Sequence, residues 1–143
     1  MLFNAIYIQK RKKSFTWIAR TAPSLTPYGS NICYGNDLFA SFAYNSAPND
    51  MMTSPDGINW TLRTTPGDVK LMSVCYGNGL YVAVGDYGPS NNYSNTTMIS
   101  FDGINWEVVT APTSVSGLNG VCYGNGRFVA VGPWGNKIIS MDL

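Results

Sequence analysis

Three copies of one apolar and polar pattern run along the chain, and each copy predicts a pair of antiparallel strands. Each predicted first strand ends in the sequence Cys-Tyr-Gly-Asn, and an apolar second strand follows it, as in residues 80–85. Asn-Gly turns stand between the strands, and both of their residues accept the positive φ of a tight hairpin. Because the second strand is apolar on both faces, each sheet should be packed between neighbours. The predicted turn residues are Asn78, Gly79, Asn125 and Gly126.

A second motif, Ser-x-Asp-Gly-Ile-Asn-Trp, occurs at residues 54–60 and 100–106. Its aspartates should accept hydrogen bonds from N–H groups of their own turn, and its glycines should take positive φ. A tryptophan then returns to the sheet, where its large ring favours burial. The predicted structural turns are at Asp56, Gly57, Asp102 and Gly103. The predicted core tryptophans are Trp60, Trp106 and Trp17, which opens a matching stretch.

Each repeat has room for four short strands, and four strands in roughly 40–50 residues are typical of a β-propeller blade. The predicted fold is therefore all-β, with about three blades of four antiparallel strands in a single repeat domain. Along residues 1–143 we predict a partial blade at 1–21, full blades at 29–65 and 71–111, and a partial blade at 118–142.

Incomplete blades are expected at both ends of the repeat array. The N-terminal part holds two predicted strands, 4–9 and 15–21, and the last repeat holds only three. A ring of about six blades is of ordinary size, and two-fold symmetry is the commonest in oligomers. We therefore expect a homodimer in which residues 4–21 complete a blade with residues 118–139 of a second copy. Completion by another blade-bearing chain is the alternative.

Composition and charge exclude several classes of partner. Of the 143 residues 12% are charged and the net charge is +1, which suits a neutral globular domain. Four of the nine basic residues are consecutive, at 10–13, which is more typical of a solvated turn than of a nucleic-acid-binding face. We find no apolar run of the roughly 18 residues that a membrane helix needs. We therefore expect neither nucleic acid nor membrane as a partner.

The residues that usually carry metal or nucleophilic chemistry are sparse. The sequence contains no histidine, which excludes His-based triads and histidine metal sites. Each Asp-Gly turn offers one carboxylate, whereas Ca²⁺ takes about six to eight oxygen ligands. Cysteines at equivalent repeat positions are too far apart for a disulfide and should be small buried side chains. We expect no metal and no cofactor; the three cysteines are Cys33, Cys75 and Cys122.

The Ser-x-Asp-Gly-x-x-Trp motif resembles the Asp-box, or BNR, repeat of sialidase-type propellers, with one residue fewer between Asp and Gly. Together with Tyr-Gly-Asn-Gly-x-Phe-Val-Ala-Val-Gly it is similar to repeats of bacterial surface and phage tail-associated proteins. The resemblance implies propeller blades over nearly the whole chain. A sialidase-type enzyme would need an arginine triad, but Arg20 and Arg63 are equivalent repeat positions and Glu107 is the single glutamate. We expect no catalytic residues.

Three functions stay open, in this order of preference. The first is a non-enzymatic recognition or assembly module of a surface or viral particle. The second is a lectin-like carbohydrate-binding propeller, and the third is a fragment of a sialidase-like glycosidase. Irregular loops that collect on one rim are the better candidates for ligand binding. The aromatic residues predicted to bind there are Tyr44, Tyr87, Tyr93 and Trp134.

Overall fold

The chain folds into strands and turns. The computed structural model describes residues 15–21, 23, 29–43, 51–67, 69–87, 96–110, 117–132 and 138–142, with the backbone alone at 29, 30, 86, 87, 110 and 138. Within these ranges every regular element is a β-strand, and none is a helix that could cross a membrane. This confirms the predicted all-β class.

The strands form three antiparallel sheets, which we call blades 1, 2 and 3. Blade 1 holds β1 (Gly29–Gly35), β2 (Leu38–Ala43), β3 (Met51–Ser54) and β4 (Thr61–Arg63). Blade 2 holds β5 (Lys70–Gly77), β6 (Leu80–Tyr87), β7 (Thr96–Ser100) and β8 (Glu107–Thr110). Blade 3 holds β9 (Gly120–Gly124), β10 (Arg127–Val131) and β11 (Ile138–Asp142). Strands that follow one another in sequence are neighbours in each sheet.

Tight turns close the first hairpin of each blade. The register pairs Gly35 with Leu38, Gly77 with Leu80, and Gly124 with Arg127, so only two residues lie in each turn. Positive φ at both residues gives the turn whose twist matches that of the flanking strands. The φ values are 44° and 56° at Asn36 and Asp37, 48° and 81° at Asn78 and Gly79, and 49° and 78° at Asn125 and Gly126.

The blades meet along their first strands. β5 lies beside β1 on one side and β9 on the other, and contacts between the outer strands of neighbouring blades are far fewer. The sheets therefore converge at β1, β5 and β9 and spread apart towards their outer edges. This radial arrangement of antiparallel sheets, two of four strands and one of three among the described residues, is that of β-propeller blades.

Strand β6 is buried on both faces, as its apolar sequence predicts. Tyr81 and Ala83 face blade 1, in a core with Phe42, Met98 and Trp106. The alternate residues of β6 face blade 3 in a second core. That second core contains Leu80, Val82, Val84, Leu118, Phe128 and Ala130. Blade 2 is thus held between the other two blades.

The tryptophans differ in burial, which corrects one prediction. Trp106 is 7% exposed, because Phe42 of blade 1 packs edge-on against it with ring centroids 5.1 Å apart. Trp60 is half-buried, and its ring centroid lies 6.3 Å from that of Phe39 in its own blade. Trp17 is 100% exposed, so it is not a core residue of the described chain. Residues 15–21 form no strand, and the other predicted N-terminal strand, 4–9, lies outside the described residues.

Candidate functional site

The Asp-Gly turns are closed by their own hydrogen bonds. Asp102 Oδ1 accepts the backbone N–H groups of Ile104 and Asn105 at 2.8 and 2.7 Å, and Oδ2 accepts from Asn105 Nδ2 at 2.7 Å. Ser100 Oγ donates to Asp102 Oδ1 at 3.0 Å and accepts the Gly103 N–H at 2.9 Å. Gly103 has φ 72°. One carboxylate and one serine hydroxyl thus close this turn.

The same bonds set the protonation of both turn aspartates. Burial alone would raise the pKa of Asp102, but the hydrogen bonds from Asn105, Ile104 and Ser100 together lower it to about 2. At Asp56, backbone N–H groups of Asn59 and Ile58 hold the pKa well below its ordinary range. Among the described residues no group of three His, Cys, Asp or Glu side chains could hold a metal ion. The chemistry of these aspartates is that of turn closure.

A tyrosine ring of each later blade covers a glycine of the blade before it. A Cβ atom on Gly35 would overlap the ring of Tyr76, and one on Gly77 would overlap the ring of Tyr123. Tyr34, the equivalent residue of blade 1, is 53% exposed. At Gly124, the equivalent glycine of blade 3, a Cβ atom would meet no described heavy atom within 4 Å. The tyrosine–glycine contact is therefore made twice and left open at both ends.

Polar side chains add a second link between successive blades. Asn31 Oδ1 accepts the Val74 N–H at 3.4 Å, and Asn31 Nδ2 donates to the Met72 carbonyl at 3.5 Å. Ser73 Oγ, at the equivalent position of blade 2, accepts the Val121 N–H at 3.2 Å. Sequence reasoning missed these bonds, although a polar residue two positions before the repeated cysteine was their signal. Blade 3 has Gly120 at this position.

The cysteines are unpaired and lie along the first strands. Burial raises the pKa of the Cys33 thiol to about 11, and nearby Cys75 adds to the shift. Burial likewise raises the pKa of the Cys75 thiol. Both side chains are half-buried, but Cys122 is exposed, so its predicted burial is wrong for the described chain. The reason is that Cys122 belongs to the face of blade 3 that no described residue covers.

Described residues of neighbouring blades line a cavity at each of the two blade contacts. One, of about 290 Å³, has an apolar lining and lies between blades 2 and 3. Val84, Phe128, Ile139 and Met141 are among its lining residues. The other cavity is more polar and lies between the outer edges of blades 1 and 2.

The polar cavity has a volume of about 530 Å³ and is lined by Arg63, Thr65, Asn105 and Trp106, among others. Arg63 Nε donates to Thr53 Oγ1 at 3.0 Å. The buried Trp106 Nε1 has no hydrogen-bond partner among the described residues. This cavity thus combines an aromatic ring, a cation and a side-chain amide.

The aromatic loop residues predicted to bind a ligand have no described side chains, so their arrangement is not tested. Tyr44, Tyr93 and Trp134 lie outside the described residues, and Tyr87 is described only through its backbone at the end of β6. Their role stays a prediction. The polar cavity, by contrast, lies on repeat residues that sequence reasoning assigned to structure alone.

Comparisons with known proteins show a structural likeness and no family. No family model matches the chain, and no curated protein matches it. Among solved structures, the chain is similar to a Bombyx mori GH32 beta-fructofuranosidase in complex with sucrose, with 13% identity and a TM-score of 0.45. The match covers 78% of this chain and 32% of that one, so the chain spans about a third of that enzyme's length. At this TM-score and identity the likeness carries no conclusion about function.

Proposed function

We propose that the protein is a non-enzymatic assembly module, whose blades dock with further blades of the same kind. The observation that carries this is the apolar character of its two end faces. On blade 1, Ile32 is 55% and Tyr34 is 53% exposed. On blade 3, Val131 is 45% exposed, and no described residue covers Gly124. Exposed apolar side chains that cluster on one face mark interaction sites.

The described carboxylates support a structural role over catalysis. Asp56 and Asp102 are bonded within their own turns. Asp142 forms an ion pair with Arg127 at 2.7 Å, and Asp37 Oδ1 accepts the hydroxyl of Tyr34 at 3.2 Å. Glycoside hydrolysis needs two carboxyl groups that flank one bond. Four of the five acidic side chains that the structure describes are instead committed to a hairpin, the two turns and one surface ion pair.

Resemblance of the repeats to those of bacterial surface and phage tail-associated proteins favours a place in a surface or viral particle. In such a particle, the module would hold its irregular rim loops towards a target while its end faces bind neighbouring blades. Loops on a rigid repeat scaffold are the common site of recognition.

A carbohydrate ligand is the second candidate, and the polar cavity favours it. Trp106 supplies an Nε1 donor that has no partner among the described residues, while Arg63 and Asn105 supply further polar groups. Binding of simple sugars, measured by titration calorimetry, should weaken in an Arg63→Ala variant. An Arg127→Ala variant is the matched control and should bind as the wild type does, because Arg127 lies on blade 3, away from this cavity.

The assembly role is tested by light scattering over a range of concentrations. We expect a species larger than the 15.6 kDa chain, and a return to 15.6 kDa when Ile32→Lys and Val131→Lys place charges on the two end faces. Phe101→Lys is the matched control, since Phe101 is 73% exposed on the turn of blade 2. A wild-type chain that stays monomeric at every concentration would contradict the proposed role.

A further inference from the structure

Trp17 is the exposed counterpart of a buried tryptophan. The stretch from Trp17 to Pro23 matches the stretch from Trp106 to Pro112. Trp106 stands just before β8, the fourth strand of blade 2, and is 7% exposed. Trp17 is 100% exposed, and Phe15 beside it is 87% exposed. Exposed large aromatic rings that lie close together favour an interaction site.

The surroundings of Trp106 show what that surface must look like. Its ring packs against Phe42 of the preceding blade at 5.1 Å and against Tyr81 of its own blade at 6.0 Å. One repeat later, the position of Phe42 is held by Val84 and the position of Tyr81 by Phe128. Both residues line the apolar cavity of about 290 Å³ between blades 2 and 3. In the repeat, that cavity therefore corresponds to the space that Trp106 fills between blades 1 and 2.

The outer edge of blade 3 is suited to pair with residues 18–21, which follow Trp17. In blade 2, β8 pairs with β7, and Met98 lies opposite Val108. In blade 3 the strand that corresponds to β7 is β11, and Ile139 of β11 also lines the cavity. Within the described residues, β11 pairs with β10 alone. Residues 18–21 match β8 in the repeat, so they are the segment suited to pair with β11.

The length of the connection decides which copy supplies this segment. Residues 64–69 join β4 to β5 and residues 111–119 join β8 to β9, each between adjacent blades. Residues 22–28 are a connection of similar length, so we expect residues 15–21 beside the open face of blade 1. The chain's own blade 3 is not there, because blade 2 lies between blades 1 and 3. We therefore expect the segment to meet a second copy and not blade 3 of its own chain.

We propose, on the basis of the assembly role above, that Trp17 of one copy fills the apolar cavity between blades 2 and 3 of a second copy. Residues 18–21 then add the fourth strand to blade 3 of that copy. The same junction brings Tyr34 of the first copy over Gly124 of the second, and so continues the tyrosine–glycine contacts made inside the chain. Two such junctions close a six-bladed ring with two-fold symmetry.

Solution mass tests this with Trp17→Ala. The wild-type dimer should have a mass of about 31 kDa, twice the 15.6 kDa of the chain, and Trp17→Ala should give a monomer. Because Trp17 is fully exposed in the single chain, the variant should keep the wild-type circular dichroism spectrum. Phe101→Ala is the matched control and should stay dimeric, since Phe101 is an exposed aromatic residue away from both end faces. A Trp17→Ala protein with the wild-type mass would overturn the proposal and leave the assembly role standing.

A mixing experiment tests the head-to-tail geometry. Val84→Trp fills the cavity from within its own chain, so this variant should also be monomeric. In an equal mixture of the two variants, each pair of unlike chains can still form one junction. Val84→Trp supplies its intact Trp17, and Trp17→Ala supplies its open cavity. The mixture should therefore associate at concentrations where neither variant does alone. A mixture that behaves as two independent monomers would rule out the plug-and-cavity arrangement.

Discussion

The glycines beneath the tyrosine rings give the sharpest prediction about stability. Gly77→Ala places a Cβ atom inside the ring of Tyr123, on a strand that is packed between two blades. Overpacking of this kind costs about 1–3 kcal/mol, whereas alanine would otherwise favour a strand by roughly 0.5–1 kcal/mol over glycine. The clash should dominate, because Tyr123 packs against Phe128 at 4.8 Å and has little room to move. We expect Gly77→Ala to lose about 1–2 kcal/mol of unfolding free energy.

Gly124→Ala is the matched control for this substitution. It makes the same change at the equivalent position of blade 3, where a Cβ atom meets no described atom within 4 Å. Urea unfolding of both variants in the monomeric Trp17→Ala background should show a loss for Gly77→Ala alone. In the wild-type background, Gly124→Ala should instead weaken the dimer, because Tyr34 of the second copy needs the space. Equal losses for both glycine variants in the Trp17→Ala background would refute the reasoning.

Three further predictions concern the turns and the core. Asp102→Ala should cost about 1–2 kcal/mol of stability through lost turn hydrogen bonds, and Ca²⁺ should not change the melting temperature, which calorimetry will check. The pKa of Asp102 is lowered from its ordinary 3.8 to about 2, so between these pH values the unfolded chain binds more protons than the folded chain. The free energy of unfolding should therefore fall as the pH drops from 3.8 to about 2, and it should fall less in Asp102→Asn. Trp106→Ala should cost about 3–5 kcal/mol and half-buried Trp60→Ala clearly less, as measured by urea unfolding; equal costs would contradict the burial of Trp106.

The repeat pattern predicted most of the fold, because the hairpins depend on local chemistry. Asn-Gly pairs fix the first hairpin turns of blades 2 and 3, and the two-sided apolar run of β6 requires a blade on each side. The pattern failed at Trp17, where it assigned a core position from equivalence with Trp106. Equivalence fixes which surface a residue needs, but not whether its own chain supplies that surface. Cys122 fails for the same reason at the other end.

The candidate site was less predictable than the fold. The bonds of Asn31 and Ser73 to the next blade depend on which strands lie side by side, and a single repeat does not encode that. The polar cavity also joins residues from two blades, Arg63 and Trp106, that are far apart in sequence. By contrast, the Asp102 turn was predictable, since each of its partners lies within three residues of the aspartate.

The junctions between blades are not all equal, and the difference bears on how the ring would form. Inside the chain, Asn31 and Ser73 bond to the next blade, and Leu38 packs beside Gly103. At the open face of blade 3 the corresponding residues are Gly120 and Arg127, which supply neither that polar bond nor that apolar contact. A junction built on this face therefore relies on Trp17 and the tyrosine–glycine contact for most of its stability. Such a junction should open on dilution while the blades inside each chain stay folded, so assembly would be controlled by concentration.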